Sequence, residues 1–115
     1  MGKNWPLIHA ARAVSDETTQ LLDRSPRRFV HATQLRDAAQ SIPANIREAM
    51  GRRRGPEREQ YFRIARSSAE ETDEHLRANY AARRLPEAPY LRLHNRIAVI
   101  VRILNGMSGS DGADP

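Results

Sequence analysis

Apolar residues recur at three- and four-residue spacing along four stretches of the chain, and nowhere do they alternate strictly with polar ones. This spacing predicts four amphipathic helices. The first runs from about Pro6 to Asp23, with Leu7, Ile8, Ala11, Val14, Thr18, Leu21 and Leu22 on one stripe. Pro6 suits a first turn, where its missing N–H costs nothing. Asp23-Arg24-Ser25-Pro26 ends the helix, and Pro26-Arg27-Arg28 makes the connection.

The second helix is expected to start near Thr33, a reasonable N-cap, with Phe29 and Val30 packing beneath it. Its stripe is Leu35, Ala38, Ala39, Ile42, Ile46, Ala49 and Met50. Pro43 falls inside it and deprives the carbonyl of Ala39 of its usual partner, which should bend the helix. Ser41 and Asn45 flank the proline and can serve freed backbone groups or a neighbouring helix. The alternative is a break at Gln40, with Ser41 capping a new helix.

A turn from Gly51 to Pro56 follows, with Glu57 and Glu59 suited to the first turn of helix three. That helix runs to about Arg84, and its stripe is Phe62, Ala65, Ser68, Ala69, Thr72, Leu76, Asn79 and Tyr80. The small residues in its middle permit close approach of a neighbour. Helix four is expected from about Ala88 to Asn105, with Gly106 as its stop. Leu93, Ile97, Ile100, Val101 and Leu104 form its inner stripe, while Leu91, Val99 and Ile103 fall off it. Those three imply either a centrally buried helix or a second interface to another subunit. Short connections make the fold all-α, an antiparallel up-down-up-down four-helix bundle over residues 1–106, with a disordered tail over 107–115.

Composition narrows the function more than the fold. With 115 residues there is one core and one domain, and with no cysteine there is neither disulfide nor thiolate metal site. The amino terminus lacks the apolar run of a signal peptide, and Ile97–Val101 is far too short to span a membrane. A cytoplasmic protein is expected. The net charge of +5 comes from 19 Lys+Arg against 14 Asp+Glu, and Lys3 is the sole lysine. Arginine is the better residue for bidentate phosphate contacts, although a GC-rich genome also favours it. The balance raises nucleic acid as a partner without establishing it.

The patch Glu70-Glu71-Thr72-Asp73-Glu74-His75 tests for a metal. Bundles that hold two irons place Glu three residues before His on two helices, but Thr72 occupies that position here and no second copy exists. Glu71 and His75 share a face, yet two ligands make no site. Ser67 and Ser68 are mid-helix hydroxyls with no His–acid pair to activate them, and no phosphate-binding glycine loop exists. Neither catalysis nor a cofactor is expected. The remaining candidate is basic: Arg47, Arg52, Arg53, Arg54 and Arg58 gather at the turn after helix two, and Arg63 and Arg66 continue along helix three. A merely solvated turn would read the same way. Without an aromatic platform, binding would be to phosphate backbone and tolerant of sequence.

Two motifs carry a resemblance over roughly residues 5 to 106. Ser41-Ile42-Pro43-Ala44-Asn45-Ile46-Arg47-Glu48 resembles the Ser-Ile-Pro-x-Asn-Ile-x-Glu signature of the bacterial four-helix bundle proteins, also called the 23S ribosomal RNA intervening-sequence or S23 family. Phe62, Ala65, Arg66, Ser68 and Glu71 match the family's second motif on helix three. Ser41, Pro43, Asn45, Glu48, Phe62, Ala65, Ser68 and Glu71 then read as architectural positions. Ala49 and Met50 depart from the pattern by standing before the glycine, as does Ser67 where glycine is commoner. The resemblance implies a ring-shaped homopentamer, related to the basic accessory variability determinant of diversity-generating retroelements, which works beside a reverse transcriptase and binds nucleic acid. The expectation is therefore a non-enzymatic oligomer binding RNA or DNA through repeated arginines. Its alternative is a scaffold that docks a polymerase-type partner with no nucleic-acid role of its own.

Overall fold

In a computed structural model, which describes the backbone of residues 5–113 and the side-chain surroundings of residues 6–107, the apolar stripes become four helices. These are α1 (Trp5–Arg24), α2 (Ala32–Met50), α3 (Pro56–Ala81) and α4 (Glu87–Ala113). Each helix packs on its neighbours in sequence, and α1 packs on α4 to close the square, while the diagonal pairs stay apart. The result is a four-helix bundle with extents of 47 × 22 × 20 Å. Among the described residues there is no strand, and no helix is long and apolar enough to cross a membrane.

The core follows from the stripes. Leu7, Val14, Leu22, Leu35, Ile42, Ile46, Phe62, Leu76, Leu93, Ile100 and Leu104 are essentially inaccessible to solvent. On α3 the small positions Ala65, Ser68, Ala69 and Thr72 are buried as well, which lets α2 and α3 share the most extensive packing in the bundle. Phe62, 1% exposed, is the largest of the fully buried side chains and anchors that half of the core.

One local expectation holds and three change. Helix α2 is one helix through the buried Pro43, so there is no break at Gln40. It starts at Ala32 rather than being capped by Thr33. His31 holds the N-cap position in a left-handed conformation, φ 53°, without a side-chain cap bond. Met50 ends the α2 stripe but is 41% exposed, lying past the buried Ala49 on the outer side of the last turn. Helix α4 does not stop at Gly106. Gly106 does not take the positive φ typical of a glycine terminator, which Gly55 alone among the described glycines has. The backbone stays helical to Ala113, so the segment expected as a tail begins inside α4; its last two residues and residues 1–4 lie outside the described residues.

The off-stripe residues of α4 separate. Ile103 is half-buried against the core, whereas Leu91 and Val99 are 43% and 39% exposed. Central burial therefore does not account for Leu91 and Val99.

Candidate functional site

The polar residues of the first motif form a clasp between helices. Asn45 Nδ2 donates to the carbonyl oxygen and to Oγ of Ser41, both at 2.9 Å. Ser68 Oγ, on α3, donates to the same Ser41 Oγ at 2.8 Å. Thr72 Oγ1 turns back to the Ser68 carbonyl at 2.7 Å. Ser41 and Asn45 thus face the neighbouring helix, and the bonds reach the carbonyl of Ser41 rather than that of Ala39, which Pro43 deprives of its partner. Each bond contributes about 1 kcal/mol net, and together they fix the register of α2 against α3.

Immediately beyond this clasp lies the arginine turn. Gly55 takes φ 144°, a conformation rarely open to other residues, and hands the chain to Pro56 in the first turn of α3. The turn encloses a shallow concavity of about 310 Å³ lined by Arg52, Arg53, Arg54, Gly55, Pro56 and Glu57.

The seven candidate arginines part company here. Arg52 is committed to the fold: its Nε reaches Glu57 Oε1 and its Nη1 reaches Glu48 Oε2, both at 2.5 Å. Nη1 also donates to the Glu48 carbonyl at 3.0 Å, and the guanidinium lies 4.3 Å over the Tyr61 ring. The hydrogen bond to Glu57, then that to Glu48, holds its pKa above the ordinary arginine value. Its charge is spent on the turn. Arg66 Nη1 donates to Asn105 Oδ1 at 2.8 Å, tying α3 to α4. Arg63 bonds Gln60 at 2.9 Å and lies 3.6 Å from Glu59. Arg58 is half-buried over Phe62, 5.5 Å from the ring centre, with its Nε shut away from solvent and unpartnered. Arg47, Arg53 and Arg54 are exposed, and Arg47 and Arg53 make no ion pair among the described residues. Arg47 and Arg53 thus point outward unneutralised among the described residues.

The remaining motif acids stay in local pairs. Glu48 serves Arg52, and the exposed Glu71 sits 3.6 Å from His75 Nε2. Among the described residues no group of three or more acids and histidines could hold a metal ion. Beside this acidic stretch, a groove of about 710 Å³ runs between α3 and α4. Its wall carries Asp73, which accepts from Arg77 at 3.1 Å and lies 2.8 Å from His94 Nδ1. No hydroxyl nucleophile lines that groove.

A second fastening was less visible in the sequence. Asn79, which the apolar spacing places on the α3 stripe, is fully buried at the other end of the bundle. Its Oδ1 accepts from the Val30 N–H at 2.8 Å, and its Nδ2 donates to the Val30 carbonyl at 3.2 Å and to the His75 carbonyl at 2.8 Å. One side-chain amide thereby mimics a strand partner for a loop residue 49 positions away. An asparagine among leucines and alanines on a helix stripe is the one signal that could have found it.

Comparison with known proteins supports the fold. The family model for 23S rRNA-intervening sequence protein matches residues 4–106. A crystal structure of a protein of unknown function from the S23 ribosomal protein family of Bacteroides thetaiotaomicron VPI-5482 superposes with a TM-score of 0.81 at 21% identity. The match covers 89% of this chain and 97% of that one. No curated protein matches.

Proposed function

Because the chain belongs to the 23S rRNA-intervening sequence protein family, whose S23 relative of known structure has no assigned function, we propose that it is a non-enzymatic bundle that binds RNA or DNA through exposed arginines. The observation that carries this reading is the unneutralised, outward-facing pair Arg47 and Arg53 on a chain of net charge +5. Arg54 shares the turn, and the half-buried Arg58 flanks it over Phe62. Arg52 shapes the turn instead of meeting the ligand. Its guanidinium covers Tyr61, so that ring is closed to base stacking and binding is to phosphate.

An anisotropy titration of 20-nucleotide single-stranded RNA and DNA between low and physiological salt tests this. The wild-type protein is expected to bind with a steep salt dependence and little sequence preference. The Arg47→Gln/Arg53→Gln variant should lose about 1.4 from the slope of log K against log salt, at roughly 0.7 per phosphate engaged. Arg52→Gln should keep the slope and lower the melting temperature. Absence of wild-type binding at low salt would sink the proposal.

The exposed Leu91 and Val99 on α4 favour a second element of the reading, assembly with further copies of the chain. A ring would repeat the arginine turn on every subunit and multiply the phosphates it can hold. Light scattering at micromolar concentration is expected to give a multiple of 13.1 kDa, and Leu91→Asp/Val99→Asp a monomer. A single wild-type peak at the monomer mass would dismiss the assembly. The same apolar face suits the alternative, a scaffold for a polymerase-type protein, which would show partner capture that survives nuclease.

A further inference from the structure

We propose that the opposite end of the bundle, where the α1–α2 loop meets the α3–α4 turn, is a second phosphate-binding surface that takes the sugar–phosphate backbone of a nucleic acid. The inference rests on the reading of this chain as a nucleic-acid binder, but on different residues. Two loops 56 positions apart are hooked together there by arginines. Arg28 Nε donates to the Arg84 carbonyl at 2.7 Å, and Arg84 Nη1 donates to the Arg28 carbonyl at 3.0 Å.

Each hook spends one donor on a neutral carbonyl. The other guanidinium N–H groups stay unused and both positive charges stay whole. Each guanidinium is hooked to the other's loop without a carboxylate, so an anion at this end meets two uncompensated positive charges. A phosphodiester suits the place, since its two free oxygens match the planar fork of a guanidinium.

The surroundings add charge instead of cancelling it. Arg24, Arg27 and Arg83 are exposed at the same end and make no ion pair among the described residues. Arg83 is held with φ 60°, a left-handed conformation uncommon outside glycine, in the turn that also presents Arg84. Of the neighbouring acids, Asp23 is paired with Arg36 at 2.7 Å, while Glu87, bonded to the neutral Tyr80 hydroxyl at 3.1 Å, keeps its charge and leaves the five arginines in clear excess. At the α2–α3 turn, by contrast, Arg52 is neutralised by two carboxylates. The surface is also built in advance, because Asn79 grips the loop at Val30 from below. Arg28 and Arg84 are thus held in place before a ligand arrives, which reduces the entropy lost on binding.

The test is the same 20-nucleotide single-stranded RNA titration with Arg27→Gln/Arg83→Gln, whose side chains hold no part of the fold. The slope of log K against log salt is expected to fall by about 1.4, at roughly 0.7 for each phosphate no longer neutralised. Arg28→Gln/Arg84→Gln should lower it at least as far, with circular dichroism confirming that the bundle persists. If wild type and Arg27→Gln/Arg83→Gln bind alike while Arg47→Gln/Arg53→Gln weakens binding, the loop-end surface is overturned and the nucleic-acid reading stands. If the wild-type protein binds no RNA, both fall together.

Discussion

Asn79→Ala is expected to lower the free energy of unfolding by about 3 kcal/mol, more than any other single polar substitution in the bundle. The residue is fully buried and its amide bonds both backbone groups of Val30 as well as the His75 carbonyl. Alanine cannot replace any of these bonds. It leaves the Val30 N–H and carbonyl without a partner inside the protein, and stranded buried groups cost about 1–3 kcal/mol each. Urea denaturation with an unchanged m-value measures the loss. Asn45→Ala is the comparison, because Asn45 is half-buried and its clasp leaves Ser41 still bonded to Ser68. That loss should be about 1 kcal/mol. Equal losses at the two sites would show that the Val30 grip does not hold the loop.

Phe62→Ala should cost about 4 kcal/mol, within the range for removing a buried aromatic ring. Phe62 is 1% exposed, so its removal leaves a cavity lined by rigid helix backbones that cannot close in. Total stabilities of such domains are about 5–15 kcal/mol, so this variant stands near the edge of folding at ambient temperature. Phe62→Leu, which refills most of the volume, should lose only about 1.5 kcal/mol. The two are compared by denaturation midpoints. If alanine proves as well tolerated as leucine, the site is looser than its burial indicates.

Helix α3 shows how far spacing alone reaches. Phe62, Ala65, Ser68, Ala69, Thr72, Leu76 and Asn79 are all buried as the period predicts, and Tyr80 is half-buried. A helical period repeats a local geometry, so it transfers directly from sequence to structure. The departures are places where a distant residue decides. The start of α2 at Ala32 instead of at a Thr33 cap follows from a loop that Asn79 holds across 49 positions, and no local rule contains that bond. Gly106 is an ordinary helical residue because no turn follows to demand a positive φ.

The arginines divide along the same line. The Glu48–Arg52 pair is legible, since an arginine just past a helix end can reach back four residues to its last turn. The second carboxylate, Glu57, comes from across the turn, and only the fold reveals that Arg52 is saturated. Likewise Arg66 finds Asn105 on another helix. At the far end, nothing in the sequence sets Arg28 and Arg84 apart, and their meeting depends on two loops converging. A count of charges along the chain therefore locates basic stretches but not unneutralised ones.

The ring of packed pairs has a consequence for how the chain reaches its native state. Three of the four helix pairings, α1 with α2, α2 with α3 and α3 with α4, join neighbours in sequence across short connections. Only α1 with α4 demands that the two ends of the chain meet, and that pairing is the slimmest of the four, fastened on its surface by Arg92 to Glu17 at 2.9 Å. Such an arrangement has low contact order, so the loop-closure entropy is spread over small steps and folding belongs to the microsecond-to-millisecond range. The α2–α3 hairpin, with the broadest packing and the serine clasp, is the natural nucleus, and the α1–α4 edge is the last to zip and the first to fray.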